Sequence, residues 1–263
     1  MNTMLDKIVA HKREELSARK QAMPLREVEW AMSRVGSQKR DFAGALRNPE
    51  RTAIIAEIKK ASPSAGVIKE DFDHVAIARE YEGAGVDAIS VLTDERFFQG
   101  RPFFVKEVKQ VTSVPVLRKD FIIEPYQIYE SKMLGADAIL LIASILADSE
   151  MAEFLEIARG LGMECLVEAH NEGEVRRAVA YGARVIGINN RDLATFKVDL
   201  DIFARLAPMA PRDRIIVCES GIETFEDVEK AAKHGADAVL VGTSIMKAAD
   251  IGAKIRQLRG EGR

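Results

Sequence analysis

From Arg51 onward, short apolar runs alternate with longer stretches in which apolar residues recur every three or four positions. The runs are Ala53–Ile58, Ala88–Leu92, Val114–Leu117, Ala138–Ile142, Cys165–Glu168, Val185–Asn189, Ile215–Cys218 and Ala238–Val241. Their length and β-branched content predict buried strands. Between them, Asp73–Glu82, Pro125–Met133, Met151–Leu161, Glu172–Tyr181 and Glu226–His234 carry the period of amphipathic helices. Strands that alternate with helices imply a parallel sheet. Ahead of them, Leu5, Ile8, Val9 and Leu16 share a helical face, and two shorter helical pieces run from Pro24 to Arg34 and from Phe42 to Arg47. None of the three buries its apolar face alone, so they are expected to pack on the strands and helices beyond Arg51.

A repeat decides how the sheet is arranged. GVDAISVL begins at Gly85, GADAILLI at Gly135, GARVIGIN at Gly182 and GADAVLVG at Gly235, introducing strands two, four, six and eight. Each glycine is expected to cap the preceding helix. The 213 residues after position 50 (263 − 50) divide into eight units of about 27, the size of a compact (β/α)8 unit set. An open doubly wound sheet is the alternative, but its Gly-rich dinucleotide fingerprint is missing after the first strand. The prediction is an α/β fold, a (β/α)8 TIM barrel. It forms one domain over residues 1–263, of which 1–50 are an N-terminal helical extension.

Composition narrows the function classes. The chain is 47% hydrophobic and 30% charged, as soluble globular proteins are. A net charge of −3 and a pI near 5.9 argue against a nucleic-acid binder. No apolar run approaches the ~20 residues that span a bilayer, so no membrane partner is expected. The charged N-terminus is not expected to be a secretory signal. Cys165 and Cys218 sit in separate apolar runs and read as buried, reduced thiols. His11, His74, His170 and His234 have no metal-ligand spacing, so no metal is expected. The expectation is a cytoplasmic protein, monomeric by default.

Charge then appears where strands should end. Strand one ends in Glu57 and Lys59, which share a face because strand side chains alternate. Alone, that pair reads equally well as a weak surface ion pair. The pattern recurs: Lys119 shares a face with Leu117, Glu168 with Leu166, and Ser220 with Cys218, while strand six ends in Asn189, Asn190 and Arg191. Interior layers of such barrels come from alternate strands, and active sites lie at the C-terminal rim. Strands one, three, five and seven would thus supply Glu57 or Lys59, Lys119, Glu168 and Ser220. Lysines and carboxylates in one narrow mouth tune each other and suit acid–base catalysis. The bland alternative is a polar plug. Ser220-Gly221 and Gly242-Thr243-Ser244 fall in the last two loops, where backbone N–H groups often bind phosphate. Ser62 and Ser64 add hydroxyls. A bulky residue at 242 would then chiefly raise KM.

AEIKKASPSAG, SVLTDERFFQG, VLRKDFIIEPYQIYE, LVEAHNEGE, IGINNRDL and CESGI together resemble the successive motifs of the indole-3-glycerol phosphate synthase family. The resemblance spans nearly the whole chain, including the helical preface. It implies a (β/α)8 barrel and closure of the indole ring of 1-(2-carboxyphenylamino)-1-deoxyribulose 5-phosphate, with loss of CO₂ and water, in tryptophan biosynthesis. It further implies that Lys119 is the general acid. Glu57, Lys59 and Glu168 are candidates for the other proton transfers. Asn189, Arg191 and Ser220 would orient the substrate, and Phe98, Phe121 and Leu193 would line its ring pocket. Gly221, Gly242, Thr243 and Ser62 would hold its phosphate. No cofactor is expected, since no electron changes hands. Two rivals remain at this point: a Schiff-base aldolase using Lys119 or Lys59, and a non-catalytic sugar-phosphate sensor.

Overall fold

The computed structural model describes residues 3–34, 39–192 and 197–261. Eight parallel strands close on themselves: β1 (Ala53–Ile58), β2 (Ala88–Leu92), β3 (Val116–Lys119), β4 (Ala138–Ile142), β5 (Glu164–Ala169), β6 (Val185–Asn189), β7 (Ile215–Glu219) and β8 (Ala238–Val241). Each pairs with its sequence neighbours, and β1 closes the barrel on β8, with Ala53 opposite Ala238. Two hydrophobic layers follow from the alternation of side chains. One, with Ile55, Leu117, Leu140, Leu166, Val217 and Leu240, fills the barrel. The other, with Ile54, Ile89, Ile139, Val167, Ile186 and Cys218, faces the surrounding helices.

The repeated glycines all adopt positive φ (79° at Gly85, 87° at Gly135, 77° at Gly182, 93° at Gly235), ending their helices as expected. The aspartate of the repeat has a further use. Asp87 accepts the amide of Ile54, Asp137 that of Val116 and Asp237 that of Ile216, at 2.8–2.9 Å. The repeat therefore ties β2, β4 and β8 each to the strand before it. In the third copy Arg184 stands in this place.

The third strand lies two residues later than the apolar run, extending through Arg118 and Lys119. Arg118 belongs to a strand although charged because Asp120 (3.0 Å) and Glu130 (2.7 Å) neutralise it beneath the helix Pro125–Met133. The extension consists of α1 (Met4–Ala22), α2 (Leu25–Met32) and α3 (Phe42–Leu46). α1 starts with a Thr3–Asp6 capping box, and α3 plugs the barrel floor with Phe42, Ala43 and Leu46. The first rim loop is not plain loop: Ala61–Ser62 and Gly66–Val67 pair as a short antiparallel ribbon.

Candidate active site

The polar rim begins with residue parity. Ala53 and Ile55 point into the barrel, so Glu57 and Lys59 follow them inward. Leu117 does the same for Lys119, Leu166 for Glu168 and Val185 for Asn189. At this depth the barrel loses its apolar filling, and the charges must neutralise one another. Glu57, only 2% exposed, does so for two cations: Lys119 Nζ lies 3.0 Å from its Oε2 and Lys59 Nζ 2.5 Å from its Oε1. Burial pushes the Glu57 carboxyl up, but Lys119 and Lys59 outweigh it and draw its pKa down to about 2. Burial likewise opposes the charge on Lys119, and Glu57, Glu219 and Glu168 overcome it, raising its pKa well above that of a free lysine.

Strand seven corrects one expectation. Cys218 faces the helix layer, where Asn190 Nδ2 donates to its Sγ at 3.3 Å. Its neighbour Glu219 is therefore the inward residue, 1% exposed, with Oε2 3.7 Å from Lys119 Nζ. Ser220 does not complete the layer. It sits just past the strand end at φ 64° and reaches the pocket from there. Neither oxygen of Glu219 has a hydrogen-bond donor among the described residues. Burial and the nearby Glu168 push the Glu219 carboxyl well above the carboxylate range, against the pull of Lys119. The strand IIVCE is apolar on both faces, which hid this parity; the apolar-then-Glu ending shared with strand five was the available signal.

Above the charges lies a pocket with an apolar side. Phe98 and Phe121, their ring centroids 6.0 Å apart, join Leu92, Leu140 and Ile142 from the barrel and Met4, Leu5 and Ile8 from α1. Ser62, Asn189, Arg191, Ser220 and Thr243 line the same pocket. A polar cavity of about 350 Å³ adjoins it, bounded by Ser220, Gly221, Gly242, Thr243 and Ser244 and open to Lys59, Lys119 and Arg191. Gly242 has a second reason to be glycine. A Cβ there would collide with Glu57 Oε1, so a bulky residue at 242 would displace a buried carboxylate and would not act on KM alone. Leu193 lies outside the described residues. All the other expected site residues converge on these two adjoining cavities. No group of metal-binding side chains occurs among the described residues.

Known proteins similar in sequence and in shape bear on the family and the fold. Residues 5–258 match the family described as indole-3-glycerol phosphate synthase. Proteins of that name from Acetivibrio thermocellus (49% identical, 97% of this chain and 99% of the relative) and Caldanaerobacter subterraneus subsp. tengcongensis (50%, 93% of each) are similar throughout. Among solved structures, 3-hexulose-6-phosphate synthase from Salmonella typhimurium superposes with a TM-score of 0.65. It covers 80% of this chain and 97% of its own, at 16% identity, which speaks to the barrel alone. On the strength of the family match and these near-full-length relatives, the chain belongs to the indole-3-glycerol phosphate synthase family.

Proposed function

We propose that Lys119 is the proton donor of ring closure, that Glu57 clamps it and Lys59, and that Glu168 with Glu219 handles the proton lost on aromatisation. The overall activity is that of the family: ring closure, decarboxylation and dehydration of 1-(2-carboxyphenylamino)-1-deoxyribulose 5-phosphate to indole-3-glycerol phosphate. Ring closure requires the substrate carbonyl to become a hydroxyl, and an ammonium aimed at it both donates the proton and stabilises the developing charge. Lys119 suits that task because three glutamates hold its proton in place. Glu57, drawn down to about 2, is too weak a base to accept a proton near neutrality. Its contribution is to fix two ammonium groups at one depth. That leaves Glu168 as the acceptor, beside a Glu219 whose carboxyl burial and Glu168 hold well above the carboxylate range. Lys59, at the mouth, supplies the proton for the departing hydroxyl.

The substrate's aromatic ring fits against Phe98 and Phe121, with Met4, Leu5 and Ile8 covering it. Its phosphate fits the loops at Gly221 and Gly242-Thr243, and Arg191, Asn189 and Ser220 lie between the two ends. No helix among the described residues is long and apolar enough to cross a membrane, and we assign the reaction to the cytoplasm, carried out by a monomer.

The observation that carries this reading is Lys119 held between Glu57 and Glu219. A Schiff-base lysine needs the opposite environment, one that lowers its pKa and frees an amine. Borohydride added during turnover should therefore trap no substrate on the protein. Lys119→Ala should lower kcat by on the order of 10²-fold or more with a smaller change in KM. A reduced adduct mapped to Lys119 or Lys59 by mass spectrometry would replace this mechanism with an aldolase.

A further inference from the structure

His170 directly succeeds β5 and takes no part in the proton transfers assigned to the lysines and glutamates. Its orientation is fixed from outside the barrel. Its backbone amide donates to Glu174 Oε2 at 2.8 Å, and its ring Nδ1 lies 3.3 Å from the same oxygen. Glu174 is itself held by Asn171, whose Nδ2 donates to Oε1 at 2.6 Å. Asn171 caps the helix Glu172–Ala180 that carries Glu174. With Nδ1 occupied, Nε2 is turned back toward the barrel. There it is buried, has no hydrogen-bond partner among the described residues, and lies 3.4 Å from Glu168 Oε1. The ring thus sits between two carboxylates, one structural and one in the reaction site.

We propose that His170 is a positioning residue for Glu168, its Nε2 turned toward that carboxylate from 3.4 Å and holding it in place, with Glu174 and Asn171 fixing the ring from the far side. This rests on Glu168 being the proton acceptor. The charged groups facing the ring are Glu168 on β5, Glu174 on the next helix, and Asp192 beyond β6. Arg191 lines the same cavity of about 240 Å³, with Ser144 and Asn189. Burial opposes the imidazolium, but the hydrogen bond to Glu174 and the charges of Glu168, Glu174 and Asp192 outweigh it, and the pKa rises above that of a free histidine. A cation beside a carboxylate favours its ionised form. A protonated His170 next to Glu168 therefore favours that carboxylate as the base.

The test uses the full chain and the carboxyphenylamino ribulose phosphate, monitored by indole fluorescence across pH. His170→Gln keeps a side chain of similar reach and removes the charge. We expect kcat to fall about tenfold, KM to stay within about twofold, and the acidic limb of the kcat profile to move to higher pH by roughly half a unit to one unit. Glu174→Gln, which removes the group that orients and charges the ring, should move the limb the same way by less, and it carries the test alone should His170→Gln fail to fold. Glu168→Gln is the control. If it is inactive while both outer variants keep the wild-type profile, His170 serves only the strand end and the proposal falls. If Glu168→Gln is itself active, the acceptor assignment falls and takes the proposal with it.

Discussion

Two carboxylates of the rim, Glu57 and Glu219, take up room that glycines leave them. A Cβ on Gly242 would collide with Glu57, and one on Gly187 with Glu219. Neither glycine has positive φ, so space, not backbone freedom, explains them. Gly242→Ala should therefore fold, but push Glu57 off the line between Lys59 and Lys119. Misplacement of a catalytic group by about 1 Å costs on the order of 10²-fold in rate. We expect a kcat loss of that size with the far-ultraviolet spectrum unchanged; a normal kcat with a raised KM would confine Gly242 to the phosphate. Residue parity made Glu57, Lys59, Lys119 and Glu168 readable from the chain, since each continues the inward-facing alternation of the apolar residues that fill the barrel. It failed at Glu219 because parallel strands are apolar on both faces, so Cys218 gave no sign of pointing outward. It failed at His170 because a histidine at a strand end signals nothing until the helix bearing Glu174 is packed against it.

At the scale of the element, α1 is joined to the site by a buried ionic clamp. Lys12, fully buried, lies 3.0 Å from both Asp94 and Asp120 and 3.1 Å from Glu15. Asp120 is the residue after Lys119, and through it the clamp reaches Arg118 and Glu130. In the sequence Lys12 stands four residues from both Ile8 and Leu16, a charge on the apolar face of the helix whose partners the sequence does not name. Asp94 and Asp120 come from just beyond the ends of β2 and β3, so no local pattern could name them. One turn before the clamp, Ile8, Leu5 and Met4 cover the pocket. The extension is thus a wall of the site as well as a buried surface for the barrel. Lys12→Met should leave Asp94 and Asp120 without their shared cation. Breaking a buried pair by removing one partner costs about 3–5 kcal/mol, which denaturant unfolding would register. KM should rise as well, because the covering residues lose their anchor. A loss under about 1 kcal/mol would mean that apolar contacts alone seat the helix.

For the whole molecule, the fold was legible because the barrel states its pattern eight times, and a slip in one unit, such as the late start of β3, is corrected by its neighbours. The charge balance of the closed barrel was not legible, since it depends on which groups are buried together. That balance sets how stability varies with pH. Glu57 falls from an ordinary 4.5 to about 2, against burial and through its two lysines, and Lys12 and Arg118 depress Asp120 in the same way. For groups with depressed folded pKa values, the stability is fully present above their unfolded values and is lost as pH falls through the folded ones. Glu57 alone accounts for on the order of 3 kcal/mol. Glu219 and His170 have raised values, so their contribution is present below their unfolded values and is lost as pH rises through the folded ones. Stability should therefore climb steeply from about pH 2 to pH 4.5 and decline gently above that, placing the maximum on the acid side of neutrality. Urea unfolding across pH would trace this curve. Asp120→Asn should flatten the acid limb, and Glu219→Gln the decline above it. A maximum that stays at neutral pH in the wild type, with Glu219→Gln keeping the same slope, would show that the Glu219 carboxyl is not raised in the folded protein.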